Sequence, residues 1–141
     1  MKKTKNFIFM LVLTISSSLF YNCTEYVKSI GKKDIKFVPK TEKYGNYTFV
    51  IPANFKLKEE SSFIYENNGV VRAYLVYTGL GDKKKLEKFF DEYLPEQGWK
   101  KITSLYGDIV VLGYERGSQL LLIKIDKSLN LNIVKIMLTK K

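Results

Sequence analysis

The chain offers little to chemistry: one thiol, two adjacent carboxylate pairs, a few hydroxyls and one glycine-containing loop. Cys23 is the single cysteine of 141 residues, and histidine is absent. Without imidazole there is no His-based triad and no His general base, and most transition-metal sites lose their usual ligand. A lone cysteine can neither close an internal disulfide nor supply a thiolate zinc cluster. The carboxylate pairs are Glu59-Glu60 and Asp91-Glu92. Neighbouring residues on a helix point about 100° apart, so Asp91 and Glu92 do not grip one substrate. Glu59-Glu60 lies in a polar stretch beside Lys56 and Lys58. Glycosidase-like chemistry needs two carboxylates facing across a cleft, and neither pair supplies that. Ser61-Ser62, Ser104 and Ser118 have no histidine to activate them. Gly79-Leu80-Gly81-Asp82 precedes a helix start but has neither the GxxxxGK[ST] nor the GxGxxG pattern. Its glycines are read as a strand-to-helix turn. The sequence assigns no catalytic residue, no metal ligand and no cofactor, and the expectation is a protein that is not an enzyme.

The setting of Cys23 explains its solitude. Lys2, Lys3 and Lys5 form a positive head, Phe7–Ile15 is an apolar run, and Ser16-Ser17-Ser18 follow. This order is that of a secretory signal peptide, read over residues 1–22. The run is too short for a conventional membrane span, which needs about 20 apolar residues. Leu19-Phe20-Tyr21-Asn22-Cys23 resembles the bacterial lipobox, in which the sulfur is diacylated and the chain is then cut before the cysteine. Phe20 stands at the usual Leu position, Tyr21 is bulky where a small residue is usual, and Asn22 is an uncommon neighbour. The expectation is lipidation of Cys23 and anchorage to a membrane. A cysteine-free remainder fits an envelope compartment.

Net charge is +10, from 24 basic and 14 acidic residues; removing Lys2, Lys3 and Lys5 leaves +7. Only Arg72 and Arg116 are arginines, the rest being lysines. Bidentate recognition of phosphates and guanine edges favours the arginine fork, so no nucleic-acid partner is expected. Affinity for an anionic surface, lipid headgroups included, is compatible with this balance.

These residues need a scaffold, and the patterning supplies one. Residues 24–43 hold six lysines and three acids without a clean period, and are read as a flexible tether after the lipidated cysteine. One domain is expected over residues 44–141. Asn46–Ile51 reads as a strand. Ser62–Thr78 reads as a hairpin turning at Asn68-Gly69, a type I′ signal. Asp82 is the expected N-cap of a helix whose apolar face is Leu86, Phe89, Phe90, Tyr93 and Leu94, with its stop at Pro95 and a turn at Gly98. Lys83-Lys84-Lys85 open that helix, where the dipole prefers acids; they are read as a solvated run. Four strands follow: 99–106, 109–115, 118–126 and 131–138. The fold class is α+β: one amphipathic helix packed on a curved antiparallel sheet, in the order β-hairpin, helix, four-strand meander.

Tyr65, Tyr74, Tyr77, Tyr93, Trp99, Tyr106 and Tyr114 form a dense aromatic set, read either as core filling or as the lining of a groove. Arg72–Gly79 (RAYLVYTG), Phe89–Trp99 (FFDEYLPEQGW) and Leu112–Gly117 (LGYERG) resemble segments of a group of small uncharacterised bacterial envelope lipoproteins. The resemblance spans roughly 49–138 and rests on helix face, helix stop and turn glycines. It implies export and lipidation and carries over no catalytic residue. The expectation is an exported, lipid-anchored protein on the periplasmic side of the bacterial envelope, at the inner or outer membrane, with a non-catalytic binding or assembly role and an envelope protein partner. The alternative is a carrier of a lipid or small hydrophobic ligand in a cavity between helix and sheet.

Overall fold

Period-two alternation of apolar side chains over the C-terminal half builds the main sheet. The computed structural model describes residues 35–141; the signal segment and Cys23 lie outside the described residues. In chain order the elements are β1 (Pro39–Tyr44), β2 (Tyr47–Pro52), β3 (Lys56–Leu57), a 3-10 turn (Glu59–Ser61), β4 (Phe63–Asn67), β5 (Val70–Gly79), α1 (Lys83–Glu96), β6 (Lys100–Leu105), β7 (Val110–Arg116), β8 (Gln119–Ser128) and β9 (Leu131–Lys140). The protein is α+β, with one α-helix among the described residues and antiparallel pairing throughout.

The main sheet runs β5-β9-β8-β7-β6, with β3 and β4 both paired along the outer side of β5. Strands β6 to β9 form the expected meander, and β9 closes it against β5. Strand register lines up three apolar rows on one face. They are Ala73–Leu138–Leu121–Tyr114, Leu75–Ile136–Ile123–Leu112 and Tyr77–Val134–Ile125–Val110. No member is more than 3% exposed. The buried helix residues Leu86, Phe89, Phe90 and Leu94 belong to the same core cluster as these rows.

Two local expectations change. Residues 39–43, read as the end of a flexible tether, pair with β2 in a separate two-stranded sheet. Proline lacks a ladder donor, and Pro39 opposite Pro52 sits at the terminus of the ribbon, where that lack is tolerated. Phe37 packs edge-on against Phe55 and Phe89 with centroids 6.0 Å from each. The packed domain therefore includes Phe37 and β1 and does not begin at Tyr44. Pro95, the expected helix stop, lies inside α1. In the last turn it removes a single hydrogen bond, and its fixed φ suits the helix. The stop is made instead by Gly98, at φ +81°. Trp99 N–H reaches back to the Leu94 carbonyl (3.2 Å) and Gly98 N–H to that of Pro95 (2.9 Å), a Schellman closure.

Other signals hold. Asp82 accepts from the Lys85 backbone N–H at 3.1 Å as the N-cap. Asn68 and Gly69 both have positive φ, at 50° and 72°, as a type I′ turn requires. We expect Asp82→Ala to lower unfolding free energy by about 1 kcal/mol. Phe90→Ala, which hollows the core, costs about 3–5 kcal/mol. Urea unfolding followed by Trp99 fluorescence separates the two.

Candidate functional site

The residues singled out for chemistry are used structurally. Glu59 and Glu60 form an exposed 3-10 turn. Asp91 enters a bridge: Tyr114 OH donates to its Oδ1 at 2.6 Å and Lys101 Nζ to its Oδ2 at 2.9 Å. Lys101 also donates to Tyr106 OH at 3.3 Å. Both Asp91 oxygens are thus committed to tying α1 to β6 and β7. Ser62 Oγ donates to the Lys58 carbonyl and accepts from Val76 N–H, which fixes the turn on β5. In the Gly79–Asp82 loop, a Cβ at Gly79 would overlap the Phe55 ring and one at Gly81 the Phe37 ring. These glycines admit phenylalanines, and the Gly81 carbonyl accepts from Asn132 Nδ2 at 2.8 Å. Lys83, read as solvated, donates to the carbonyls of Gly107 (2.9 Å) and Asp108 (2.8 Å).

The aromatic set divides. Tyr77, Trp99 and Tyr114 are buried, whereas Tyr65 and Tyr106 are exposed and Tyr74 is half-buried. Trp99 Nε1 donates to the Thr48 carbonyl at 2.7 Å, and the Arg116 guanidinium stacks over the indole at 4.5 Å. Arg116 also donates to the carbonyls of Gln97 (3.1 Å) and Asn46 (3.2 Å) and to Gln119 Oε1 (3.0 Å). The sequence marks Arg116 only as a turn residue, and nothing in its spacing from Trp99 signals this lock.

The surface with no structural duty is the other face of the sheet. Register places Phe63–Tyr74–Met137–Leu122–Gly113–Thr103 in one row across β4, β5, β9, β8, β7 and β6. The row holds no charge, and Phe63 and Met137 are 62% and 44% exposed. Phe63 stacks on Tyr74 at 5.7 Å. A solvated sheet face ordinarily alternates to polar residues, so a row without charge and with Phe63, Tyr74, Met137 and Leu122 in succession needs a reason. In the adjoining row Lys124 stands directly opposite Lys135, a like-charge pairing that costs stability; among the described residues Lys124 has an acid nearby, Asp126 at 3.9 Å.

The two edges of the sheet also differ. Strand β6 carries Lys100 and Lys101 and a register shift between Lys101 and Thr103, devices that blunt an edge. Strand β4 reads FIYEN, lacks Lys and Pro, and is exposed along its whole length, Ile64 on the core-side face included. One cleft of about 240 Å³ lies at its tip, lined by Tyr65, Asn67, Asn68, Val70 and Arg72. A second, of about 130 Å³, is lined by Asn46, Tyr47, Val71, Gln119 and Lys140 among others. Both fall below the roughly 300 Å³ of an ordinary small-molecule site. No protein-family model matches the chain, and neither a curated protein nor a solved structure matches it.

Two buried hydroxyls give a pH signature. Burial first, and then the Asp91 carboxylate, pushes the Tyr114 hydroxyl well above the usual tyrosine range. Burial, and then the Tyr44 hydroxyl 3.2 Å away, does the same to Tyr77. The folded state therefore keeps protons that the unfolded chain releases above about pH 10, so their contribution is whole below that pH and is lost progressively as pH rises from there toward the raised folded-state values. Stability should fall above about pH 10, and Tyr77→Phe with Tyr114→Phe should flatten that fall. Urea unfolding at stepped alkaline pH, with tyrosinate absorbance, checks both; normal titration of all tyrosines in the folded protein would contradict it.

Proposed function

We propose that this is an exported, lipid-anchored protein of the bacterial envelope whose domain has a non-catalytic binding or assembly role. Its Cys23 is the attachment point, and the binding surface is the open sheet face together with the β4 edge. The observation that carries the binding role is the uncharged row from Phe63 through Met137 and Leu122, which the core does not need. The resemblance to small envelope lipoproteins and the signal-like N-terminus support export. A helix packed on one face of a curved sheet, leaving the other face open, is the arrangement this reading uses.

A carrier is the second reading. Leu75 and Phe90 are wholly buried and Phe89 is 3% exposed, so the side chains between helix and sheet fill the space a ligand would occupy. That favours surface binding over carriage.

Two measurements test the proposal. Mass spectrometry of the wild-type N-terminus should find acyl chains on Cys23, and Cys23→Ala should leave the chain unacylated and uncut; an unmodified wild-type Cys23 removes the anchor. A photo-crosslinking residue at Met137 should give envelope-protein adducts in cells, whereas one at Lys88, on the exposed side of α1, should not. Equal yields at the two positions contradict the assigned face.

A further inference from the structure

We infer that one end of the sheet, the end at which the chain enters the domain, docks on an anionic membrane surface. The inference rests on the lipid-anchor reading, and it concerns a surface distinct from the open sheet face.

Strand direction decides which loops share that end. Gly79 pairs with Asn132, Ser128 with Leu131, Val110 with Ile125, and Leu105 with Val111. The β5–α1 loop, the β6–β7 loop and the β8–β9 turn therefore lie together. Lys83 confirms the contact of the first two by holding the Gly107 and Asp108 carbonyls. Phe37 packs at Gly81, so the chain enters at this same end.

The loops present apolar tips. Leu80 is 51% exposed, Tyr106 61%, Leu131 43% and Leu129 94%. Leu129 has φ +54°, the left-handed region that a leucine enters at a cost. Asn or Gly is the residue that such a turn selects. A leucine held there, almost fully in water, adds nothing to the fold. It is placed as a wedge that enters the headgroup region of a bilayer would be.

Charge complements the tips. Lys84 and Lys85 are exposed at the start of α1, with Lys36 and Lys127 exposed on neighbouring segments. Lys84 and Lys127 form no ion pair among the described residues. Cations opening a helix oppose its dipole, so Lys84 gains little from its place in the helix and more against an anionic plane. Apolar side chains with lysines beside them, Lys36, Lys83, Lys84, Lys85 and Lys127 against Asp82, Asp108 and Asp126, are the composition of an interfacial anchor. The sequence distance agrees: twelve residue steps separate Cys23 from Ile35, at most about 40 Å fully extended. A second copy of the chain, itself at +7 once Lys2, Lys3 and Lys5 are cut away, would meet this end with like charge.

Because Cys23 is the only cysteine, the full chain with Cys23→Ala accepts one fluorescent label at a chosen site. An environment-sensitive probe on Leu129→Cys should shift to the blue with phosphatidylglycerol-containing vesicles, and one on Met137→Cys should not. Adding Lys84→Gln and Lys127→Gln should raise the anionic lipid needed for half the Leu129 shift about 25-fold. High salt should do the same. Leu129→Asn should keep or raise the melting temperature while weakening vesicle binding, which separates docking from folding.

The inference is overturned if the Met137 probe shifts and the Leu129 probe does not, if vesicle-bound protein leaves both silent, or if phosphatidylcholine vesicles serve equally well. Silent probes with acylated wild-type Cys23 reject docking and spare the anchor. A shifted Leu129 probe with unmodified wild-type Cys23 does the reverse.

Discussion

Trp99 is the joint on which the described architecture turns. Strand β2 is buried along nearly its whole length yet belongs to a two-stranded ribbon with no ladder to the main sheet. Something other than strand pairing must hold it. Burial of Tyr47, Phe49, Val50 and Ile51 in the shared core does so, and the indole fixes the position by donating to the Thr48 carbonyl, while its backbone N–H closes the end of α1. Arg116 covers the ring and carries the connection on to Asn46 and to the β7–β8 turn. Burial lowers the pKa of that guanidinium from its usual value, but its hydrogen-bond partners keep the charge supplied with acceptors. One residue thus aligns helix, ribbon and sheet, and the three apolar rows can close beneath them.

What this joint leaves over defines the candidate surfaces. The helix and the ribbon share the core with one face of the sheet, and the buried rows account for the apolar residues on that side. The row through Phe63, Tyr74, Met137 and Leu122 lies on the opposite face. The loop tips at the chain-entry end are a third set, set apart by lysines and by an exposed leucine in an unfavourable backbone conformation.

Local signals were readable because they act over a few residues. The cap at Asp82, the turn at Asn68-Gly69 and the helix face through Leu94 all come from short-range geometry, and each was legible. The strands of the meander followed from alternation, to within one or two residues at most ends. Strand β1 was not legible, because Lys40, Thr41, Glu42 and Lys43 show no apolar period; they pair because β2 needs a partner at its edge. Pro95 was misread because a proline in the last turn breaks only one bond. The candidate surface was half legible. The aromatic set was visible, but its division into buried and exposed members depends on strand register, which a sequence specifies only once the strands have found their neighbours.

The unequal edges of the sheet limit how this protein can grow. A strand arriving from outside finds open backbone groups and flat apolar side chains along β4, and finds lysines and a bulge along β6. Head-to-tail stacking, β4 of one copy against β6 of the next, is therefore disfavoured. The main sheet thus offers one edge to an added strand and guards the other, which disfavours the open-ended ribbon from which fibres are made.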